Sequence, residues 1–309
     1  MTTLDPSPLP ELPARDPRGH KGTFGTVAVV GGCARRELPM IGAPTLSARA
    51  ALRAGCGLVR LVMPEPIVVS GLMLMPSATG VAIDTDEDGW PHSDERFIEA
   101  LTQSSVVVVG PGLGADDHRR HPVAELVRTA VEIGRPAVVD ADGLNALVSG
   151  EMLHRVDLSR CVLTPHPGEF ARLASVRGIG ADPTDDAERP EAAELLAKSL
   201  GCVIVLKGAG TVVSDGAHTW VCERGHPCLG TAGTGDVLAG LLGSLIAQQG
   251  ERSLYDSARI AVEAHAIAGE VWAQANKAQA GLLASELADL LPGVLGGFTA
   301  GGASPSPQA

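Results

Sequence analysis

A carboxylate stands at the mouth of an apolar helical stretch, behind a run of small residues: Thr231-Ala232-Gly233-Thr234-Gly235-Asp236, followed at once by VLAGLLGSLIA. The first amides of a helix have no intrahelical acceptors, and glycines let a ligand approach them closely. The helix dipole adds partial positive charge there, so Gly233, Thr234 and Gly235 form a candidate anion hole for a phosphate. Asp236 reads in two ways. It is a good helix cap, and beside an anion hole it is also a base able to take the proton of a hydroxyl attacking phosphorus.

A second glycine string, Leu206-Lys207-Gly208-Ala209-Gly210-Thr211, lies upstream between two predicted strands. Lys207 can place a point charge on a phosphate, and Thr211 adds a hydroxyl. The lysine spacing and the strand that follows both depart from a Walker P-loop. The segment is therefore a nucleotide loop of another kind or a hairpin with an incidental lysine. Two further strands end in polar clusters, Asp140-Ala141-Asp142-Gly143-Leu144-Asn145 and Thr164-Pro165-His166-Pro167-Gly168-Glu169. Parallel α/β sheets bind ligands beyond the carboxyl ends of their strands, and carboxylates there can meet Mg2+ through water. Asp142 and Thr164 also have a simpler reading as caps or turn formers.

Val109-Gly110-Pro111-Gly112-Leu113-Gly114 is another strand running into a glycine turn, where a ligand could lie on bare backbone. Lys21-Gly22-Thr23-Phe24-Gly25 leads into TVAVVGG, and Gly42-Ala43-Pro44 opens the next helix. The pair Gly31-Gly32 does not continue as GxGxxG, which argues against a dinucleotide-binding oxidoreductase. No GxSxG elbow is present, and acyl chemistry lacks support. His118 and His121, in ADDHRRHP, read as a solvated helix start, and His265 as a packed or hydrogen-bonded residue.

Elements that could position these residues alternate along the chain. Strands are expected at Thr26–Val30, Leu58–Val62, Val106–Val109, Ala137–Val139, Cys161–Leu163, Val203–Leu206, Thr211–Val213 and Thr219–Cys222. Helices are expected at Pro44–Ala54, Glu95–Thr102, Val123–Ile133, Gly168–Ala174, Ala192–Ser199, Val237–Ala247 and Leu254–Gln274. Such alternation predicts right-handed crossovers and one α/β domain, a mostly parallel sheet between helix layers. Residues 76–94 are polar and read as an exposed excursion. Residues 1–18 and 297–309 read as flexible tails around a domain at 19–296.

The 309 residues carry a net charge of −12, are 45% apolar and only 3% aromatic, a composition of small aliphatics that suits tight helix-on-sheet packing. The acidic balance argues against nucleic acid, whose binding rests on Lys and Arg. Backbone amides can still hold a phosphorylated small molecule. No apolar run suggests a membrane span, and no signal peptide is seen. The six cysteines contain no CxxC pair and read as buried reduced thiols of a cytoplasmic protein.

Taken in order, HKGTFGTVAVVGG, GAP, VVVGPGLG, VVDADGLNAL, LTPHPGEFARL, VLKGAGT and GTAGTGDVLAG resemble the ADP/ATP-dependent NAD(P)H-hydrate dehydratase family of the ribokinase-like superfamily. The resemblance runs from about His20 to the helix around His265. It implies a ribokinase-like three-layer αβα domain and a carbon–oxygen lyase. Such an enzyme repairs the S-epimer of hydrated NADH or NADPH, with ADP or ATP as co-substrate and Mg2+ as cofactor.

Matched motif by motif, the resemblance implies nucleotide contacts at Lys207, Gly208, Ala209, Gly210, Thr211 and Gly235. It implies contacts to the hydrated dinucleotide at Ala43, Gly112, His166 and Asp236, with Asp236 as the catalytic base. Related kinases carry NxxE where this chain has His166-Pro167-Gly168-Glu169, which makes Glu169 the candidate for organising Mg2+ through water. Ala232 stands where the family commonly has glycine, and its Cβ opposes positive φ. Members often carry an epimerase domain ahead of this one; the first motif here starts near His20, so an epimerase is expected as a separate protein. The resemblance also suggests a homo-oligomer, a tetramer among the options. The alternatives are a small-molecule alcohol kinase of the same superfamily and a nucleotide-binding regulator without chemistry.

Overall fold

The computed structural model describes residues 2–114, 123–248, 250 and 252–299. His118, His121 and residues 300–309 of the expected C-terminal tail lie outside them.

Nine strands build one sheet: β1 Thr26–Val30, β2 Leu58–Pro64, β3 Thr79–Ile83, β4 Val106–Val109, β5 Ala137–Val139, β6 Cys161–Leu163, β7 Val203–Leu206, β8 Val212–Ser214 and β9 Thr219–Val221. Helices α1 Gly42–Arg53, α2 Glu65–Leu74, α3 Glu95–Thr102, α4 Ala124–Glu132, α5 Asp142–Leu147 and α6 Met152–Arg155 fall between the earlier strands. Then come α7 Pro167–Arg177, α8 Arg189–Leu200, α9 Thr234–Ala247, α10 Leu254–Asn276 and α11 Ala284–Gly296.

The strand order is β3-β2-β1-β4-β5-β6-β7-β8-β9, parallel as far as β7 and antiparallel from β7 to β9. Val106–Val109 is buried throughout, as a central strand covered on both faces requires. One core layer packs α1, α9, α10 and α11 on one face of the sheet, and a second packs α3, α4, α7 and α8 on the other. The expected three-layer α/β domain is present.

The crossing of α1 and α9 fixes the later geometry of the site. A Cβ at Gly240 would sit 2.0 Å from the Ser47 carbonyl oxygen, so only glycine lets the two backbones approach this closely. The hydroxyl of Ser47 donates to the Asp236 carbonyl at 2.8 Å and ties the start of α9 to α1.

Three expectations need correction. The excursion at 76–94 contains β3, which pairs in parallel with β2 from Arg60↔Thr79 to Pro64↔Ile83. Its polar flanks are tolerated because it is an edge strand. Residues 2–18 are docked against the body. Leu4 bridges Thr219 on the β9 edge, the Asp5 amide donates to the Thr219 carbonyl at 2.7 Å, and Leu12 bridges Thr299. Arg259, only 2% exposed, donates to the Ser7 carbonyl and lies 3.5 Å from the Asp5 carboxylate. These partners are remote in sequence, so composition alone made the segment look free. Helices α2, α5, α6 and α11 also lie where none was expected: α5 and α6 are only six and four residues long, and Gly71 inside α2 and Pro292 inside α11 mask helical periodicity.

Among the described residues no helix is long and apolar enough to cross a membrane, and all six cysteines are free and buried.

Candidate active site

The chain passes from β1 outward to β2 and β3, then returns to the other side of β1 for β4. Open α/β sheets leave a crevice at such a reversal, beyond the carboxyl ends of the strands. The glycine turns after β1 and β4 meet there: a Cβ at Gly31 would sit 2.2 Å from the Pro111 carbonyl oxygen. Gly112, at φ +65°, faces Ala43 at the start of α1, whose Cβ lies 3.2 Å from the place a Gly112 side chain would begin.

The next strands add charge. Asp140 ends β5, and Ala141 then takes a φ of +49°, costly for a residue with a Cβ. The kink turns Asp140 inward while Asp142 opens α5. The Asp140 Oδ1 atom accepts from the Thr164 hydroxyl and from Lys207 Nζ, each at 2.7 Å. Glu169 Oε2 lies 3.7 Å from the same ammonium. Asp140 is 2% exposed and Glu169 6%. Burial works against the Lys207 charge, yet Asp140, Glu169 and Asp236 together hold its pKa above the usual lysine value. Burial raises the Glu169 pKa, with Lys207 opposing.

His166 and Glu169 start α7 as a capping box. His166 Nδ1 accepts from the Gly168 amide at 3.0 Å, and Glu169 Oε2 accepts from the His166 amide at 2.8 Å. Burial and the charges of Lys207 and Arg172 keep the His166 pKa below its ordinary value. Asp142 accepts the Gly114 amide at 2.9 Å. Its burial raises its pKa against that bond.

Asp236 is not the cap of its helix. Gly233, at φ +90°, takes that position, and Asp236 is the third helical residue. Its carboxyl is thus left for other work. Burial first, then the Asp140 carboxylate, push its pKa up to about 7 against the pull of Lys207, with Asp142 adding to the rise. Among the described residues the amides of Gly233, Gly235 and Asp236 meet no acceptor, while the Thr234 amide is directed at the Thr231 carbonyl at 3.4 Å. The free donors are therefore the amides around Thr234 rather than its own.

Lys207, Gly208, Ala209, Gly210, Thr211 and Gly235 line one cleft of about 540 Å³ that opens beside this cluster. Leu238, Val262 and Ala266 give it an apolar floor, and His265 stands in its wall. A second cleft of about 540 Å³ lies near Phe24, Gly55 and Leu295. Thr23 and Phe24 of the first glycine string line it, and Asp140, Asp142, Glu169 and Asp236 are among the lining of neither cleft; the glycine loop after β7 and Gly235 line the first.

The profile of the NAD(P)H-hydrate dehydratase family matches residues 27–293. The chain belongs to that family. The ADP-dependent (S)-NAD(P)H-hydrate dehydratase of Neisseria meningitidis serogroup B is 35% identical over 287 residues, 89% of this chain and 86% of that protein. The structure of the ADP/ATP-dependent NAD(P)H-hydrate dehydratase from Bacillus subtilis, co-crystallised with ATP and Mg2+, superposes with a TM-score of 0.71 at 27% identity. That match covers 93% of this chain and 95% of the other. A ribokinase-like superfamily protein from Enterococcus faecalis V583 has the same fold, with a TM-score of 0.74 at 21% identity over 94% and 93% of the two chains. The chain spans about half the length of the bifunctional NAD(P)H-hydrate repair enzymes that it also matches.

In this dehydratase-family chain, the structure brings Lys207, Glu169 and His166 together with the Asp236 end of α9. Ala43 and Gly112 meet at the β1–β4 crevice. Asp140 and Thr164 read from sequence only as members of polar clusters; that Asp140 is the counter-ion of Lys207 depends on strands 67 residues apart. Arg189, buried beneath the Lys207 loop, escaped the sequence reading altogether. Its only signal is an arginine inside an otherwise ordinary helix start.

Proposed function

We propose that this chain is an ADP- or ATP-dependent dehydratase of the S-epimer of hydrated NADH or NADPH. The observation that carries the reading is Asp236: a carboxyl held near a pKa of about 7, not used as a cap, beside unpaired helix amides and a lysine-bearing glycine loop. Related proteins named for this activity support it.

In this mechanism the nucleotide lies along Gly208–Thr211 with its terminal phosphoryl group at the amides of Gly235 and Asp236. The hydrate sits at Ala43, Gly112 and His166. Asp236 takes the proton of the hydrate hydroxyl as that oxygen forms a bond to phosphorus, and the bond from phosphorus to the nucleotide breaks. With ADP the products of this step are AMP and a phosphorylated hydrate. Loss of phosphate and of a neighbouring ring proton then restores the dihydropyridine double bond. Phosphorylation converts hydroxide, a poor leaving group, into a good one. This explains why a dehydratase needs a kinase-like site.

Mg2+ fits as an ion carried largely by the nucleotide. Among the described residues no group of three His, Cys, Asp or Glu side chains is set to hold a metal. Asp140 is taken up by Lys207 and Thr164, and Glu169 by the start of α7. Glu169 would therefore meet the ion through water, and the ion when bound neutralises charge on the phosphates. Longer relatives named bifunctional NAD(P)H-hydrate repair enzymes support a functional link to an epimerase of the same hydrates.

The test is incubation with hydrated NADH and either ADP or ATP, following the absorbance of the reduced nicotinamide. Recovery with one nucleotide supports the reading. No recovery with either, alongside phosphorylation of a small alcohol, would replace it by the kinase alternative.

A further inference from the structure

Arg189 opens α8 with its side chain only 5% exposed, and it is directed into the underside of the loop that follows β7. Its guanidinium donates to the carbonyls of Pro183 at 2.6 Å, Leu206 at 3.1 Å, Lys207 at 3.3 Å and Gly210 at 3.4 Å. Nε has no partner. Among the described residues no carboxylate forms an ion pair with it. A buried cation hydrogen-bonded only to carbonyls is an unusual arrangement; burial lowers the Arg189 pKa, with the Asp186 carboxylate opposing without pairing.

The consequence appears on the other side of the loop. With the carbonyls of Lys207 and Gly210 drawn down to the guanidinium, their peptide planes point the following amides the opposite way. Among the described residues the amides of Gly208, Ala209, Gly210 and Thr211 meet no acceptor. All four residues line the cleft. Gly208 takes a φ of +146°, where a side chain would be strained, and a Cβ there would lie 2.9 Å from the Arg189 Nη2 atom and push the guanidinium aside. Successive free amides over a cation make a nest for an anion, and among the described residues the positive charge behind them makes no ion pair, with Asp186 acting on it only from farther off.

We infer that Arg189 is the positioning residue of the nucleotide loop: it gathers the loop carbonyls beneath so that the amides above receive the nucleotide's phosphates, whose charge its own guanidinium complements through the loop. The inference rests on the nucleotide-dependent reading above and adds to it a residue that never touches the ligand. It predicts an asymmetry. Phosphate-bearing ligands depend on Arg189, and the bare nucleoside does not.

The experiment compares ADP and adenosine binding by calorimetry in the wild type, Arg189→Gln and Arg189→Lys, with steady-state kinetics on hydrated NADH. In Arg189→Gln, ADP affinity falls about tenfold or more, the loss expected when a charged hydrogen-bonding group is removed, while adenosine affinity stays within about twofold. KM for ADP rises more than kcat falls, and Arg189→Lys, which keeps the charge, recovers part of the ADP affinity. A variant that binds ADP like the wild type overturns the inference, as does one that loses ADP and adenosine in equal proportion. Should Arg189→Gln fail to fold, Arg189→Lys carries the same comparison, a selective loss of ADP supporting the inference and an equal or absent loss overturning it. Wild-type protein that binds no ADP would remove the functional reading itself, an outcome distinct from an unselective variant.

Discussion

His265 Nε2 lies 2.9 Å from the carbonyl oxygen of Thr234, which places an imidazole of α10 directly behind the first turn of α9. Burial, with the Lys207 charge adding to it, lowers its pKa to about 4 against the Thr234 bond, so the ring is neutral near pH 7. A carbonyl only accepts, so the proton sits on Nε2 and the bond holds the Thr234 peptide in place. His265→Phe keeps the ring and loses the bond. The expected result is a drop in kcat of about tenfold, the worth of one such hydrogen bond, with the fold retained by circular dichroism.

Asp236 must be ionised to accept a proton. With its pKa at about 7, kcat/KM is expected to rise with pH through that value and level off above it. Asp236→Asn removes turnover by about 10²-fold or more while ADP still binds. The same group leaves a thermodynamic mark. Unfolded, it ionises near 3.8; folded, near 7; the folded state therefore binds more protons in that window, and wild-type stability falls as pH rises through it. The asparagine variant escapes this loss, so its advantage in Tm over the wild type is larger at pH 8 than at pH 4.

Lys207→Met leaves Asp140 and Glu169 buried without their cation. Breaking one side of a buried pair costs about 3 kcal/mol. Chemical denaturation should show that loss, and the double variant Lys207→Met with Asp140→Asn should recover much of the stability without recovering activity. A Lys207→Met protein as stable as the wild type would contradict the assigned ion pair.

Gly112→Ala adds a Cβ at φ +65°, 3.2 Å from the Cβ atoms of both Ala43 and Met40. The left-handed backbone costs a residue with a Cβ about 1–2 kcal/mol. KM for the hydrated dinucleotide is expected to rise while KM for ADP stays unchanged. Equal effects on both would place Gly112 outside the substrate end of the site.

Asp5→Ala removes an acceptor from Tyr255 and a counter-charge from Arg259, a buried side chain whose Nε already lacks a partner. Stability should fall by about 1–3 kcal/mol, read as a lower Tm, with kcat of the folded protein unchanged. An unaltered Tm would show that the docked N-terminal segment contributes nothing to the fold.

Much of this molecule is written locally. The buried run Val106–Val109 marks a central strand by its own composition, and the glycine-to-apolar transition at Gly233–Gly240 marks a helix mouth. These signals rest on short-range periodicity and backbone sterics, which neighbouring residues alone decide. Edge and irregular elements were less legible. β3 is a strand because β2 offers it backbone partners, and residues 2–18 lie against the body where Thr219, Tyr255 and Arg259 meet them.

The residues with chemical potential could be named from sequence; their protonation and pairing could not. Asp236 has either role, cap or base, until Gly233 is seen at φ +90° taking the cap position. Its pKa is a property of burial and of Asp140, Lys207 and Asp142, which arrive from two other strand ends, those of β5 and β7. Residue types and local spacing determined an α/β domain and pointed to phosphate chemistry. Only the folding of distant strand ends into one low-dielectric crevice decided which carboxylate is free, which is paired, and which arginine lies beneath the Lys207 loop, because electrostatic coupling depends on distance through space and not along the chain.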